Sequence, residues 1–267
     1  MQKAIGIFDS GVGGLTVLKE LMAALPLENT IYLGDTARVP YGIRSAGTVT
    51  RYSFENTQFL LSQEIKMLVV ACNTASAVSL HAVKKEFPLP VIGVLEPGAR
   101  AAAAATRTKK IGVIGTEATI GSGAYERAIT KLDPDIQVFS KACPLFVPLA
   151  EEGWVDNDVA ELVAERYLAF FRTSGIDALV LGCTHYPLLK KAIGKVVGPG
   201  ITLIDSATET AKEVASLIDR NRMQRPGAGA AERRYFVTDT PARFERLGRR
   251  FLGETQLTAE QVKVGGV

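Results

Sequence analysis

Apolar residues along this chain occur in short unbroken runs, with amphipathic stretches between them. The runs 68–71 and 178–181 are apolar at every position, which is typical of parallel strands covered by helices on both faces. The stretches 48–63 and 159–174 instead repeat their apolar residues at helical spacing. Strands and helices that alternate in this way predict an α/β fold with mainly parallel sheets.

The pattern of runs repeats, so the chain has two similar halves. Three strand-like segments of the first half have counterparts in the same order in the second half: 5–10 with 111–116, 68–74 with 178–184, and 91–96 with 201–206. Each half therefore predicts the order strand, helix, strand, helix, strand. The sequence predicts two domains, residues 1–97 together with 209–267 and residues 98–208, with the last segment returning to pack on the first domain.

The remaining elements are predicted from apolar spacing and from turn residues. Helices are predicted at 15–25, 48–63, 74–86, 99–110, 159–174, 187–197 and 243–253. Strands beyond the repeat are predicted at 30–33 and, as the last strand of the chain, at 235–239. The stretch 221–232 contains Pro-Gly-Ala-Gly-Ala-Ala and is predicted to be a loop.

Composition narrows the class of protein. The chain has 267 residues, 47% of them hydrophobic, a formal net charge of +3 and three cysteines. The basic excess falls mainly in 220–234 and 243–250 without interleaved aromatic residues, which indicates a solvated surface rather than a nucleic-acid interface. No secretion signal precedes the first strand and no apolar run reaches roughly 18 residues, so we expect a cytoplasmic protein with reduced thiols and no membrane segment.

Two of the three cysteines stand at the ends of matching strands. Cys72 and Cys183 each follow an apolar run and precede a predicted helix. In open α/β sheets ligands bind beyond the carboxyl ends of the strands, and a helix N-terminus favours a thiolate. A free cysteine is also commonly a plain core residue, and we interpret Cys143 in that way because it has no counterpart in the repeat.

Several other uses of cysteine conflict with the sequence. A phosphatase loop needs an arginine six positions after the cysteine, where this chain has Val78 and Leu189. No Cys-x-x-Cys pair occurs, which excludes a thioredoxin-type dithiol. The only histidines, His81 and His185, lack the close spacing of zinc ligands, so no metal is expected.

The first strand ends in Asp9, which is followed by a glycine turn at 11–14. This turn is neither a Walker A loop nor a complete Gly-x-Gly-x-x-Gly motif. Asp9 either caps the helix that follows or presents an acid at the same sheet edge as Cys72. His185 is likewise either a hydrogen-bonding neighbour of the second thiol or an acid/base helper.

Taken together, segments from the whole chain resemble the glutamate racemases, of the cofactor-independent aspartate/glutamate racemase superfamily. The matching segments are Phe8-Asp9-Ser10-Gly11-Val12-Gly13-Gly14, Gly34-Asp35-Thr36, Pro40-Tyr41-Gly42, Ala71-Cys72-Asn73-Thr74-Ala75, Gly182-Cys183-Thr184-His185-Tyr186-Pro187, Ile204-Asp205-Ser206 and Phe236-Val237-Thr238-Asp239. The resemblance implies two similar three-layer αβα domains, related by pseudo-twofold symmetry, with the active site in the cleft between them. It also implies a homodimer that interconverts L- and D-glutamate and supplies D-glutamate for peptidoglycan, without a cofactor.

The same resemblance implies roles for individual residues. Cys72 and Cys183 would be the two acid/base residues, and Asp9, His185 and Glu151 would assist them. Substrate contacts would come from Asp9, Ser10, Pro40, Tyr41, Gly42, Asn73, Thr74, Thr184 and His185. Glu151 is preferred to Glu152 only because of its spacing from Cys72 in the family pattern.

Elementary chemistry agrees with a site of two thiols. Racemisation removes the Cα proton from one face and returns a proton to the other, so one thiolate and one thiol must flank the carbon. Other interpretations stay open at this point. The chain could racemise aspartate, could be a related decarboxylase or isomerase, or could be a two-lobed binding protein without activity. A one-cysteine decarboxylase is disfavoured because both positions are cysteine.

Overall fold

Strands and helices alternate along the chain in a computed structural model that describes residues 3–227, 229–253 and 257–265. Parts of the predicted domains and loop lie outside the described residues, namely positions 1–2, 228, 254–256 and 266–267. The strands of the first half are β1 Ala4–Asp9, β2 Thr30–Gly34, β3 Ile65–Val70 and β4 Val91–Gly93. Its helices are α1 Leu15–Ala24, α2 Ala46–Ser62, α3 Asn73–Val78, α4 Leu80–Glu86 and α5 Leu95–Ala105, with a 3-10 turn at Tyr41–Ile43.

The second half repeats this alternation. Its strands are β5 Lys110–Gly115, β6 Gln137–Ala142, β7 Ala178–Gly182 and β8 Thr202–Asp205. Its helices are α6 Glu117–Gly121, α7 Ala124–Leu132, α8 Phe146–Glu152, α9 Asp158–Leu168, α10 Lys190–Val197 and α11 Ser206–Arg220, with 3-10 turns at Ala169–Phe171 and Tyr186–Leu189. The last elements are β9 Arg233–Val237, α12 Pro241–Leu252 and β10 Glu260–Gln261.

The strands form two parallel sheets. The first has the order β10-β9-β2-β1-β3-β4, and the second has the order β6-β5-β7-β8. Because β2-β1-β3-β4 and β6-β5-β7-β8 share one topology, the sequence repeat has a structural counterpart. The prediction of two parallel sheets in an α/β fold is confirmed. The pseudo-twofold relation and the domain boundaries stay predictions.

Helices cover both faces of each sheet, which explains the unbroken apolar runs. In β1, Ile5 and Ile7 pack into one core, and the alternate residues Ala4 and Phe8 pack into another. Successive side chains of a strand point to opposite faces, so a strand that is covered on both sides must be apolar throughout. The core that contains Ile5 continues without a break to Leu181 of β7, so the two sheets share one apolar interior.

The end of the chain completes the first sheet. Strand β9 pairs in parallel with β2, with Tyr235 opposite Tyr32, and α12 packs against α1. The prediction that the strand at 235–239 is the last strand of the chain is wrong, because the short strand β10 follows it and pairs with β9.

The register of the paired strands shows that the candidate residues lie at one edge of each sheet. Phe8 lies opposite Val70, so Asp9 and Cys72 both emerge beyond the carboxyl edge of the first sheet. Gly115 lies opposite Gly182, so Thr116 and Cys183 emerge from the corresponding edge of the second sheet. These carboxyl edges are where open α/β sheets bind ligands.

Candidate active site

The two sulfur atoms line the same cavity. It has a volume of about 230 Å³ and is lined from the first half by Ser10, Val39, Pro40, Tyr41, Gly42, Ile43, Cys72, Asn73 and Thr74. From the second half it is lined by Thr116, Glu117, Pro144, Val147, Pro148, Cys183, Thr184 and His185. Cys72 and Cys183 are only 5% and 7% exposed. The structure therefore brings together two thiols that come from equivalent strand ends of different sheets.

Cys72 begins helix α3 and lies in an environment that keeps it protonated. Its sulfur accepts a hydrogen bond from the backbone N–H of Ala75 at 3.5 Å and lies 3.8 Å from Ser10 Oγ. Burial, and then the charge of Asp9, raise the pKa of the Cys72 thiol to about 12. At neutral pH this thiol therefore keeps its proton.

Cys183 has a histidine and a carboxylate behind it. Its Sγ lies 3.8 Å from His185 Nδ1, and His185 Nε2 lies 3.2 Å from Glu151 Oε1. Burial lowers the pKa of His185, but the hydrogen bonds with Cys183 and Glu151 outweigh burial and raise it to about 10. The imidazole is therefore protonated at neutral pH, and a positive charge beside Cys183 stabilises a thiolate.

Glu151 rather than Glu152 is the acid that faces His185. The hydrogen bond from His185 lowers the pKa of Glu151, so this carboxylate is ionised when the imidazole is charged. Its second oxygen lies 3.4 Å from Arg243 Nη2 of α12. Glu152, the next residue of α8, is exposed. The preference for Glu151 over Glu152, which rested only on spacing in the family pattern, thus has a geometric reason.

Asp9 does not cap the helix that follows it. Helix α1 begins after Gly14 without a side-chain cap, and Asp9 Oδ2 instead accepts a hydrogen bond from the backbone N–H of Gly11 at 2.9 Å. The carboxyl is fully buried behind the cavity wall, and burial raises its pKa, with the charge of His185 acting in the opposite direction. Of the two interpretations left by the sequence, the geometry favours an acid at the sheet edge.

The glycine turn packs directly on the turn that carries His185. A Cβ atom at Gly13 would lie 2.5 Å from the His185 ring and even closer to Thr184 Oγ1, so a larger residue does not fit there. Thr16, in the first turn of α1, strengthens this contact through its hydroxyl, which lies 3.0 Å from the carbonyl oxygen of Thr184. The two halves of the chain therefore meet beside Cys183.

Two buried polar atoms have no hydrogen-bond partner, and both lie at this site. Over the described part of the chain, Asp9 Oδ1 and Asn73 Nδ2 are the only buried side-chain nitrogen or oxygen atoms in that condition. An unsatisfied buried polar group costs about 1–3 kcal/mol, so native structures rarely contain one without a functional reason. One of the two atoms accepts a hydrogen bond and the other donates one. Only Asn73 belongs to the lining, so its donor is the atom of the two that an acidic group of a ligand can reach.

The loop that supplies Pro40, Tyr41 and Gly42 is held from behind by buried polar groups. The Tyr41 hydroxyl donates to Asp35 and accepts a hydrogen bond from Asn56 Nδ2 at 3.1 Å. Arg38 Nε also binds Asp35, at 2.7 and 2.9 Å from its two oxygens. Because these groups are buried and paired, the backbone of the loop is fixed against the cavity.

Several residues that line the cavity were not predicted from the sequence. These are Val39, Ile43, Thr116, Glu117, Pro144, Val147 and Pro148. Thr116 could have been predicted from the sequence repeat, since it occupies the position that corresponds to Ser10. Its hydroxyl lies 2.9 Å from the hydroxyl of Thr74, which joins the two halves across the cavity. Asp9 and Glu151, which the resemblance had placed at the site, lie behind the lining rather than on it.

Two searches of the described residues bear on metals and membranes. Residues 3–227, 229–253 and 257–265 contain no cluster of three or more His, Cys, Asp or Glu side chains that could hold a metal ion. In the same ranges, no helix has both the length and the apolar character needed to cross a bilayer.

Comparison with known sequences places this arrangement among characterised relatives. Residues 10–214 match the family described as Asp/Glu/Hydantoin racemase. The chain is 60% identical to glutamate racemase of Geobacter metallireducens over 251 residues, which cover 94% of this chain and 93% of that protein. It is 48% identical to glutamate racemase of Enterococcus faecalis, with 99% of this chain and 97% of that protein covered.

Solved structures show the same similarity in three dimensions. Glutamate racemase from Francisella tularensis in complex with D-glutamate has a TM-score of 0.92 and 41% identity, and the match covers 98% of both chains. Glutamate racemase isoform RacE1 from Bacillus anthracis has a TM-score of 0.94 and 42% identity, with 98% of this chain and 97% of that chain covered. An aspartate racemase homologue from Pyrococcus horikoshii, at 16% identity and a TM-score of 0.59, shares the fold alone.

Proposed function

Because the chain belongs to the glutamate racemases of the Asp/Glu/hydantoin racemase family, we propose that it interconverts L- and D-glutamate by passing protons between Cα and two thiols. Cys72 and Cys183 are the two thiols in this proposal. The observation that carries it is their position: they emerge from equivalent strand ends of separate sheets and line one cavity. A racemase needs one proton-transfer group on each face of the substrate carbon, and two sheets that meet at a cavity can supply them.

We infer the starting states of the two sulfurs from their surroundings. The raised pKa of Cys72 makes it the thiol, and the protonated His185 beside Cys183 stabilises the thiolate. In one direction the Cys183 thiolate takes the proton from Cα, and the electron pair of the broken C–H bond remains on the carbon and its carboxylate. The Cys72 thiol then gives its proton to the opposite face. The reverse direction starts from the exchanged states.

Neighbouring residues support the two thiols in this proposal. Asp9 acts through its charge, which favours the protonated form of Cys72. Glu151 keeps His185 protonated and thereby supports the thiolate of Cys183. Neither carboxylate needs to touch the substrate, in keeping with their positions behind the lining.

Hydrogen-bond donors must stabilise the carbanion, since a Cα–H bond is a very weak acid. Asn73 Nδ2 is such a donor, because it is buried, has no partner and belongs to a residue of the lining. The hydroxyls of Thr74 and Thr184 lie on the same lining. One preorganised donor to a developing oxyanion contributes about 2.7–4 kcal/mol in other enzymes. A small cavity also suits a single amino acid better than a larger ligand.

Family membership extends the proposal to the cell. D-glutamate is a constituent of peptidoglycan, and we propose that this chain supplies it in the cytoplasm. A homodimer is proposed on the same basis, and sedimentation of the purified protein measures it directly. The proposal includes neither a cofactor nor a metal, and dialysis against a chelator should leave the activity unchanged.

The decisive test follows both isotope and optical rotation. Incubation of L- or D-glutamate with the enzyme in D2O should place deuterium at Cα, and circular dichroism should show each enantiomer approach the racemic mixture. Aspartate is the matched control and should react far more slowly. Binding of glutamate without exchange at Cα would instead identify a two-lobed binding protein. Faster turnover of aspartate would reassign the substrate but keep the chemistry.

A further inference from the structure

We propose that Tyr125, a residue outside the lining of the cavity, is a positioning residue that sets the orientation of the Asn73 amide and so aims Nδ2 at the substrate carboxylate. This inference rests on the proposed function, because it assigns a ligand group to that donor. The phenol hydroxyl donates to Asn73 Oδ1 at 2.6 Å. Tyr125 lies on α7 of the second half and Asn73 begins α3 of the first half, so the bond crosses between the halves.

The ring of Tyr125 is closely confined. Its side chain is 2% exposed, and a Cβ atom at Gly182, the residue before Cys183, would lie 3.1 Å from Tyr125 Cε2. A Cβ atom at Gly98 would lie 3.5 Å from the phenol oxygen and 3.1 Å from Cβ of Ser206. Glycines at these positions leave room for the ring, and the surrounding atoms leave it little freedom to turn away from Asn73.

The phenol decides which end of the amide faces the cavity. The oxygen and nitrogen ends of an asparagine side chain have nearly the same shape, so hydrogen bonds determine its orientation. Burial raises the pKa of Tyr125 above its ordinary value, so the phenol keeps its proton over the whole working range of pH. In the structure the phenol donates to Oδ1, which directs Nδ2 to the other side. The reversed amide would present an oxygen to the carboxylate and repel it.

The position of Asn73 in the chain indicates which carboxylate is bound. Asn73 directly follows Cys72, so its donor lies on the same turn as a thiol that acts at Cα. The carboxylate attached to Cα is the substrate group nearest to that carbon. It also gains negative charge when the proton leaves. A donor held in place there acts more strongly on the transition state than on the bound substrate, so its loss should lower kcat more than it raises KM.

A double-mutant cycle tests this inference. Tyr125→Phe keeps the ring and removes only the donor, and we expect it to lower kcat/KM for glutamate about tenfold, mainly through kcat. In an Asn73→Ala background the same substitution should change kcat/KM by less than about twofold, because the residue through which Tyr125 acts is missing. Tyr167→Phe is the matched control. It also removes a hydroxyl from the second half, but that hydroxyl binds the backbone N–H of Leu145, so activity should be unchanged.

Several outcomes would overturn the inference. One is a Tyr125→Phe enzyme with normal kinetics, and another is an equal loss in both backgrounds, which would mean that Tyr125 acts through packing. A measurement on the unchanged protein covers the case in which a variant does not fold. A strong nuclear Overhauser effect between the Asn73 Hδ2 protons and the Tyr125 hydroxyl proton would show the amide reversed. That measurement needs no turnover, so it determines the orientation of Asn73 even in a protein without racemase activity. Absence of racemase activity would contradict the proposed function alone.

Discussion

Individual side chains make the two thiols chemically unequal. Burial, and then the charge of nearby Asp9, raise the pKa of the Cys72 thiol, while the contact of its sulfur with Ser10 acts in the opposite direction. Cys183 has His185 near its sulfur, followed by Glu151. A buried sulfur beside a carboxylate is suited to hold a proton, and a sulfur beside an imidazolium is suited to release one. In the proposed mechanism the free protein therefore starts with the proton on Cys72, before any substrate binds.

Replacement of either sulfur by oxygen should nearly abolish racemisation. A serine hydroxyl is a much weaker acid than a thiol, so Cys72→Ser and Cys183→Ser each remove the proton transfer on one face. Loss of a general acid or base lowers rates by about 10²–10⁴-fold, and we expect kcat/KM, followed by circular dichroism, to fall by that much. Exchange of the Cα proton from one enantiomer can survive, because the other thiol remains.

Cys143 provides the control for thiol loss. It is fully buried and lies outside the lining, with its thiol near the carbonyl oxygen of Lys141. Cys143→Ala should affect stability but leave kcat/KM within about twofold, since it removes no group from the site. Near-normal turnover by either of the serine variants would refute the assignment of the two proton carriers.

The pH dependence should change when Glu151 loses its charge. Glu151→Gln weakens the support for the His185 proton, so the pKa of His185, which is raised to about 10, should fall. The alkaline limb of the kcat/KM profile should then move to lower pH by about 1–2 units, as expected for a lost hydrogen bond to a charged group. An NMR titration of His185 measures the same shift, and the chain has only two histidines.

The free energy of unfolding provides an independent measure of the interaction between Glu151 and His185. A raised histidine pKa stabilises the folded state fully below the ordinary value of 6.5, and this stabilisation is lost as the pH rises through about 10. The deficit in the free energy of unfolding of Glu151→Gln should therefore be largest near pH 6 and should shrink toward pH 10. Glu152→Gln is the control, because that side chain is exposed, and both of its profiles should match those of the unchanged enzyme.

Among the elements, the central strands and the edge strands β4 and β8 were predicted from the sequence, whereas the edge strands β6 and β10 were not. Strands β1, β3, β5 and β7 are covered on both faces, and apart from Asp9, Lys66 and Lys110 they contain only apolar residues and glycine, so the sequence marks them clearly. Strand β6 was missed, because it is an edge strand with no fully buried residue, and its sequence Gln-Val-Phe-Ser-Lys-Ala mixes polar with apolar side chains. Half-exposed edge strands lack the burial that produces a sequence pattern.

Helix boundaries failed for identifiable reasons. The helix predicted at 99–110 in fact runs over Leu95–Ala105, because Pro97 lies in its first turn, where a missing N–H costs nothing, and Lys110 already begins β5. The helix predicted at 74–86 is two helices. Ser79 separates them, and its hydroxyl lies 2.7 Å from the carbonyl oxygen of Ala75, a local bond that competes with helix geometry.

The glycine turn before α1 should tolerate no side chain at its third position. The methyl group of Gly13→Ala would collide with Thr184 and His185, and relief of such overpacking costs about 1–3 kcal/mol. We expect a lower midpoint of urea unfolding together with a loss of kcat/KM of roughly tenfold, because the turn that carries His185 must move. Gly47→Ala, in the first turn of α2 with no atom near its Cβ, should be neutral or stabilising. Equal effects of the two substitutions would show that the contact at Gly13 is unimportant.

At the scale of the whole molecule, the sequence predicted that the two cysteines lie at one site, but it did not predict all the residues that line the cavity around them. Matching strand ends place Cys72 and Cys183 at equivalent edges, and the repeat relates Ser10 to Thr116. Pro144 and Val147 line the cavity only because the second sheet is turned toward the first, an arrangement that no local pattern encodes. The proposed orientation of the Asn73 amide likewise depends on Tyr125, a partner that belongs to the other half.

The unequal surroundings of Cys72 and Cys183 have a consequence for kinetics. Mirror-image substrates have equal free energies in water, and both directions cross the same highest barrier, so kcat/KM for the L enantiomer must equal kcat/KM for the D enantiomer. A change beside one sulfur alone, such as Glu151→Gln, cannot break that equality. Any change that it makes in kcat/KM must be by the same factor for both enantiomers, whereas kcat and KM can each differ between them, so the asymmetry of the site is visible in saturation curves and disappears from the ratio of their initial slopes.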